Sequence, residues 1–310
     1  MTRAWVHPHR ADSLCAPDAS VAQGIERRFP VPKVAGSNPA GGTTRGGSIP
    51  HMPGQTHSAV NILLATPAAG GMVTTDYMLG VMRLQRHLAE LGWALEIVTR
   101  ADGLVTRSRN AFASAVVRDE RFSHLLMIDA DISAEPETVA RLVNFGEDLV
   151  GACVPLRHVL WDRVAEQASA VSGSSAAELA SASQTYAVTF ESDAADRERD
   201  GFAPAIAVGS GVMLVSRRAL ISIAEAGQAA RFEQAAGSVD GDPSGWGFFD
   251  PIITPDGTYL SEDYALCHRW REMGNSVWAD IHARTRHVGP VPISGDMFAS
   301  MQAAERRARG

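Results

Sequence analysis

From Asn61 onward, short apolar runs alternate with longer stretches of helical periodicity. Asn61–Ala65 predicts a strand, the amphipathic stretch from Asp76 to Leu91 a helix, and Ala94–Thr99 a second strand. A helix over Ser108–Asp119, a strand over Leu125–Ile128, a helix over Pro136–Phe145 and a strand over Asp148–Ala152 continue the pattern. Strands alternating with helices of this length predict βαβ units and a mostly parallel sheet. The Ala/Ser-rich stretch between Val164 and Ser183, with Gly173 inside it, breaks this regularity and reads as a weak helix or a loop. It forms the middle of an excursion over about residues 157–204. Strands at Tyr186–Phe190 and Ala203–Val208 restore order, and Gly209-Ser210-Gly211 then feeds a further apolar run. That tripeptide predicts a bulge, with close backbone approach to a ligand as the alternative. Ser261 has the place of an N-cap before a helix, and Ser276–Asp280 reads as a late strand. The fold class expected is α/β, a single Rossmann-like α/β/α domain over residues 56–290 with a tail at 291–310.

Residues 1–55 carry scattered Gly, Pro, Ser and Thr with no period of 2 or 3.6, which predicts a disordered or non-native leader. The stretch from Val21 to Arg28, continued by Gly36–Gly41, resembles a conceptual translation of a transfer-RNA gene, which would place the natural start at Met52. A functional basic arm is the competing reading. These residues hold six Lys and Arg against three Asp and Glu, so the remainder is more acidic than the net charge of −7 for the whole chain. General nucleic-acid binding, which requires a basic face, is not expected. No apolar stretch approaches the ~20 residues of a membrane span, and no signal-peptide pattern opens the chain. A cytoplasmic protein is expected. Cys15, Cys153 and Cys267 are too few and too dispersed for a disulfide framework or a clustered zinc site.

Lys33 is the only lysine. The body of the chain therefore has no Walker lysine, no Schiff-base lysine and no lysine general base. Phosphate must be held by arginine, metal or backbone amides.

Candidate chemistry begins where the strand at Leu125–Ile128 runs into Asp129-Ala130-Asp131. Ligands of open α/β sheets bind beyond the carboxyl ends of the strands, where Thr66, Pro67 and Asp102 also lie. Side chains two apart on a strand share a face, so Asp129 and Asp131 are expected to converge on one point. Two carboxylates with substrate phosphates are a usual environment for Mg2+ or Mn2+. A solvated turn in which each aspartate caps local amides is the plainer alternative. A second constellation lies at Ser261-Glu262-Asp263, where acidic residues either complement the helix dipole or face a cleft and accept a proton. His287, before Gly289-Pro290, is a candidate to complete a carboxylate metal site, with His282 as its rival.

Taken in order, these segments resemble the nucleotide-sugar glycosyltransferases of the GT-A fold, particularly small bacterial and phage members related to glycosyltransferase family 2. The resemblance covers roughly residues 58–290. It rests on Ala65-Thr66-Pro67, Thr106–Asn110, Leu126–Asp131, Val150–Pro155, Val208–Leu214, Glu262-Asp263 and His287-Val288-Gly289. It implies a metal-dependent transfer of sugar from a nucleotide-diphosphate sugar, UDP-sugar favoured, to a hydroxyl acceptor. By the same resemblance, Thr66, Pro67, Asp102, Arg107, Arg109, Asp129 and Gly209-Ser210-Gly211 contact the nucleotide sugar. Asp129, Asp131 and His287 meet Mn2+ or Mg2+, and Asp263, with Glu262 beside it, faces the acceptor as general base.

Two rival readings use the same residues. A haloacid-dehalogenase-like phosphatase would use Asp129 as nucleophile, with Ser133 near it. That family usually needs a later lysine, which the domain lacks. A non-catalytic nucleotide-sugar-binding protein would keep the fold without turnover, although it has no reason to retain Asp129, Asp131, Asp263 and His287 together.

Overall fold

A computed structural model describes residues 60–233 and 244–289. The expected leader and the tail at 291–310 lie outside the described residues. In chain order the elements are β1 (Asn61–Pro67), α1 (Thr75–Glu90), β2 (Ala94–Arg100), α2 (Val105–Arg118), β3 (His124–Ile128), β4 (Ile132–Ala134), α3 (Pro136–Phe145) and β5 (Leu149–Ala152). There follow α4 (Trp161–Ala170), α5 (Ala176–Ala182), β6 (Val188–Phe190), β7 (Phe202–Val208), β8 (Val212–Ser216), α6 (Arg217–Glu225) and β9 (Arg231–Glu233). The chain continues with β10 (Ser244–Trp246), β11 (Ile252–Ile253), β12 (Tyr259–Leu260), α7 (Glu262–Glu272), β13 (Val277–Asp280) and β14 (Thr285–His287).

The central sheet has eight strands in the order β2-β1-β3-β8-β5-β13-β7-β6. Followed through the pairings, β7 and β8 run against the other six, so the sheet is mostly parallel by direction. Period-2 alternation splits its side chains between two apolar layers. Leu63, Ala65, Leu125 and Met127 pack with Phe112 and Val116 of α2 and Leu266 and Trp270 of α7. Ile62, Leu64, Leu126 and Ile128 pack with Leu84 and Leu88 of α1 and Val139 and Leu142 of α3. This is the expected α/β/α arrangement, and its helices turn the carboxyl ends of β1, β3, β5 and β13 toward one edge.

Two elements differ from the sequence expectation for local reasons. Helix α2 starts at Val105, earlier than the expected Ser108, because the Asp102 carboxylate accepts the Leu104 N–H at 2.9 Å ahead of the first turn. Ser108 is instead buried inside the helix. The Ala/Ser-rich excursion forms two short helices, α4 and α5, and neither has a buried residue.

Gly209-Ser210-Gly211 is not a bulge within one strand. It is the turn between β7 and β8, which pair with different neighbours. Pairing of β7 with β13 ends at Ala205, after which Val208 lies against Gly151 of β5. A Cβ at Gly151 would come within 2.6 Å of Val208 Cγ2, so only glycine admits this passage. The chain then reaches the strand-end edge, where Gly211 accepts the Asp129 N–H at 3.1 Å.

The Gly151–Val208 contact makes a test of packing. Gly151→Ala should cost about 1–3 kcal/mol of unfolding free energy, the range for overpacking a filled core. In a denaturant double-mutant cycle the cost should be smaller in a Val208→Ala background. Equal cost in both backgrounds would mean that Val208 is not the obstacle.

Candidate active site

The strand β3 ends at Ile128, and the next four residues form a tight turn closed by the Ile132 N–H donating to the Asp129 carbonyl at 3.0 Å. A second tie comes from Thr74, at the start of α1, whose N–H donates to Ala130 O at 2.8 Å. Because Asp129 and Asp131 sit in a turn, strand alternation does not govern them. Each meets a different arginine, while the Asp131 charge still acts on Asp129. Among the described residues, no group of three or more His, Cys, Asp or Glu side chains is arranged to hold a metal ion.

Asp129 faces Arg109, which α2 delivers from the layer beneath the sheet edge. Arg109 Nη2 donates to Asp129 Oδ1 at 3.0 Å, and its Nη1 lies 3.6 Å from Met127 Sδ. The arginine side chain is only 4% exposed. Its Nε–H has no hydrogen-bond partner and lies 3.8 Å from Glu262 Oε1. Loss of water pushes the Asp129 carboxyl above its ordinary range, although the Arg109 charge opposes the shift. Glu262 is raised as well, first by burial and then by the Asp263 charge beside it.

Asp131 faces a different set. Arg157 Nη1 donates to Asp131 Oδ2 at 2.7 Å, and His287 Nε2 lies 3.5 Å from the same oxygen. The pairing of β14 with β4 sets His287 opposite Ile132, and the Val288 N–H donates to Asp131 O at 2.8 Å. His287 Nδ1 lies 2.8 Å from the Pro155 carbonyl, which can only accept. Nδ1 therefore carries the proton, and Nε2 offers its lone pair toward Asp131 when the ring is neutral. An imidazole oriented by a backbone carbonyl is the usual preparation of a metal ligand. Asp131 and His287 are thus the residues that could hold one side of a divalent cation. His282, the rival candidate, lies instead beside Gly201 and Arg141.

Asp263 lies in the first turn of α7. Its Oδ1 accepts from Ser261 Oγ at 2.7 Å and from the Tyr264 N–H at 2.9 Å. Its Oδ2 accepts only the Ser210 N–H, at 3.3 Å. Ser261 has the expected N-cap position, yet its hydroxyl donates to Asp263 and caps no backbone amide. Gly209 and Gly211 keep the turn close: a Cβ at Gly209 would come within 2.8 Å of Ala187 Cβ, and one at Gly211 within 2.6 Å of Ile132 Cδ1. The Gly-Ser-Gly thus meets Asp263 through one backbone amide and Asp129 through one carbonyl.

The remaining candidates are engaged elsewhere. Thr66 is fully buried, its hydroxyl donating to Ile128 O at 2.8 Å and lying 2.6 Å from the Tyr77 hydroxyl, so it braces the ends of β1 and β3. Pro67 closes β1 beside it. Asp102 receives both Nε and Nη2 of Arg107 at 2.6 Å, so these two residues satisfy one another at the mouth of the second βα loop. Ser133, which a phosphatase would place beside Asp129, lies against Gly80 of α1.

Arg157 is the site residue that sequence reasoning missed. It stands two positions after the Val150–Pro155 motif, at the border of the irregular excursion, and pairing of Pro155 with Tyr186 returns it to the cleft. Asn110 was read only as part of the Thr106–Asn110 motif. Its amide donates to Asp250 Oδ1 at 2.7 Å and accepts the Phe249 N–H at 2.7 Å, which holds the loop after β10 against α2.

The chain matches no protein-family profile and no curated protein. It is similar in structure to A197 from STIV, at 13% identity and a TM-score of 0.39 over 74% of this chain and 87% of that one. It is also similar to GalNAc-T7, crystallised with UDP, GalNAc and Mn2+, at 6% identity and a TM-score of 0.42 over 76% of this chain and 45% of that one. A third structure, 4-diphosphocytidyl-2C-methyl-D-erythritolsynthase from Anaerococcus prevotii DSM 20548, is 11% identical with a TM-score of 0.29, over 69% of this chain and 99% of that one. Likeness at these scores assigns no family, and the functional reading rests on the geometry above.

The Asp102–Arg107 pair predicts a pH dependence. Hydrogen bonds from Arg107 lower the Asp102 carboxyl to about 2 from an ordinary 3.8, with the Leu104 amide adding to the effect. A lowered acid stabilises the fold above the unfolded value and loses that contribution as pH falls through the folded one. The stability advantage of the parent over Asp102→Asn should therefore be complete above pH 3.8 and vanish as pH approaches about 2. Thermal melts across that range would show it, and a constant difference would contradict the assignment.

Proposed function

We propose that this chain is a metal-dependent glycosyltransferase of the GT-A type, moving a sugar from a nucleotide-diphosphate sugar to a hydroxyl acceptor. UDP-sugar is the favoured donor. The observation that supports this reading best is His287, whose Nδ1 is committed to Pro155 O while its Nε2 faces Asp131 at the carboxyl edge of the sheet. Arg157 stands beside that pair and Arg109 beside the neighbouring Asp129, guanidiniums that an enzyme without lysine at the site requires for a diphosphate. A nucleotide-binding or phosphatase role would leave Asp263, held by three donors beside the glycine turn, without a task.

In this reading Asp131 and His287 hold Mn2+ or Mg2+. When bound, the cation supplies Lewis-acid stabilisation to the departing diphosphate. Arg157 donates charge-assisted hydrogen bonds to the same leaving group, and Arg109, whose guanidinium plane Asp129 fixes, supplies positive charge from beneath the donor. Asp263 is held through Oδ1, and Oδ2, which has one long hydrogen bond, accepts the proton of the acceptor hydroxyl as that hydroxyl attacks. This assignment requires inversion at the anomeric carbon, because the base and the diphosphate then lie on opposite faces of the sugar.

Calorimetric titration with UDP and GDP in Mn2+ and then in EDTA should show metal-dependent binding of one nucleotide. Asp131→Asn should abolish that binding. Asp263→Asn should leave donor affinity within about threefold and reduce turnover by roughly 10²-fold or more, the range for loss of a general base. Equal loss of donor affinity in both variants would refute the division of roles. A product of retained configuration would remove Asp263 as the base.

A further inference from the structure

The two-stranded ribbon of β4 and β14 presents Ile132 and His287 toward the site and Ser133 and Arg286 toward α1. The helix approaches this second side closely: a Cβ at Gly80 would come within 3.0 Å of Ser133 Cβ. Asp76 and Arg83 flank Gly80 at helical spacings of four and three, so they share its side of α1. Between helix and ribbon lies a groove of about 240 Å³ lined by Asp76, Arg83, Ser133, Glu135, Arg284 and Arg286, with Thr285.

The charges in this groove are poorly matched. Arg286 reaches Asp76 at 3.5 Å, between side chains that are 76% and 40% exposed, a pair of little intrinsic strength. The guanidinium groups of Arg83 and Arg284 make no ion pair among the described residues, and neither does Glu135. Three guanidiniums against two carboxylates leave one positive charge in excess. Arg284, just before β14, and Arg286 within it line the groove from the ribbon side, and Arg83 lines it from α1. Three planar donors meeting across a groove suit a tetrahedral oxyanion, which can accept from several forks at once. The groove has room for a phosphate ester as well as a bare phosphate.

We propose that this groove is a second ligand site, for a phosphate-class dianion, formed by Arg83, Arg284 and Arg286. It lies behind the ribbon that brings His287 to Asp131 and shares no residue with the candidate active site. The assignment therefore stands or falls separately from the glycosyltransferase reading.

The test is titration of inorganic phosphate into the full chain in EDTA. Arg83→Gln/Arg284→Gln should weaken binding at least tenfold and steepen less with salt, because fewer cations release fewer counterions. Both residues are exposed, so the variant should keep its fold, which circular dichroism and an unchanged Tm without phosphate would establish. Arg109→Gln should leave this binding intact. Absence of phosphate binding at millimolar concentration would overturn the proposal. So would binding that survives in the double variant and disappears in Arg109→Gln, which would place the anion at the strand ends. Sedimentation with phosphatidylcholine vesicles, with and without phosphatidic acid, separates the sources. Capture by the acidic vesicles alone, lost in the double variant, identifies a lipid headgroup, and phosphate binding without capture identifies a soluble ester.

Discussion

Asp129 and Asp131 stand two positions apart at the end of a buried strand, where the charge of one disfavours ionisation of the other, and much of the surrounding structure answers that constraint. The turn closed by Ile132 N–H separates them, and each receives its own cation. Asp129 takes Arg109 from below, and Asp131 takes Arg157 from the excursion above, with His287 beside it. A buried carboxylate without such a partner would cost several kcal/mol or protonate. The supporting elements follow from this need: α2 carries Arg109, the Pro155–Tyr186 bridge returns Arg157, and β14 pairs with β4 to deliver His287. With lysine confined to Lys33, every one of these cations is a guanidinium or an imidazole. Guanidinium keeps its charge when buried, which allows Arg109 to be nearly inaccessible and still pair with Asp129.

The strand-end edge was legible in the sequence because apolar runs and helical periods are local signals. Apart from β4, elements from β1 to β5 follow from them to within a few residues, and the two-layer core follows from the apolar runs at Asn61–Ala65 and Leu125–Ile128. The separate arginine partners of Asp129 and Asp131 were not legible. They depend on the strand stopping at Ile128 and on a turn hydrogen bond, and a one-residue change in a strand end reverses which side chains share a face. Arg157 was hidden for another reason. Its contact with Asp131 is fixed by a bridge between Pro155 and Tyr186, a pairing across the irregular excursion that no periodicity marks. The choice between His282 and His287 likewise required the register of β14, since both precede or end short polar segments of similar appearance.

Backbone passage matters as much as side chains at the glycine turn. Val208 crosses above Gly151, after which Gly209-Ser210-Gly211 presents an amide to Asp263 and a carbonyl to Asp129. The two acids that carry different roles in the proposed chemistry are therefore held by one short peptide. A shift of that peptide would move both together, which links the donor end and the acceptor end of the cleft mechanically.

The order in which the chain is made gives the β4–β14 ribbon a temporal meaning. Arg109, Asp129 and Asp131 leave the ribosome early, and their strands can pair as soon as β1, β2 and β3 are complete. His287 is among the last residues of the described chain, and its partner strand β4 ends at Ala134, so this pairing closes over a very long stretch of sequence. A nascent chain therefore holds its acidic turn for most of synthesis without the imidazole beside it. In the proposed reading, a cation site is complete only once β14 docks, the last strand among the described residues, so an incomplete chain has no finished site with which to capture a metal.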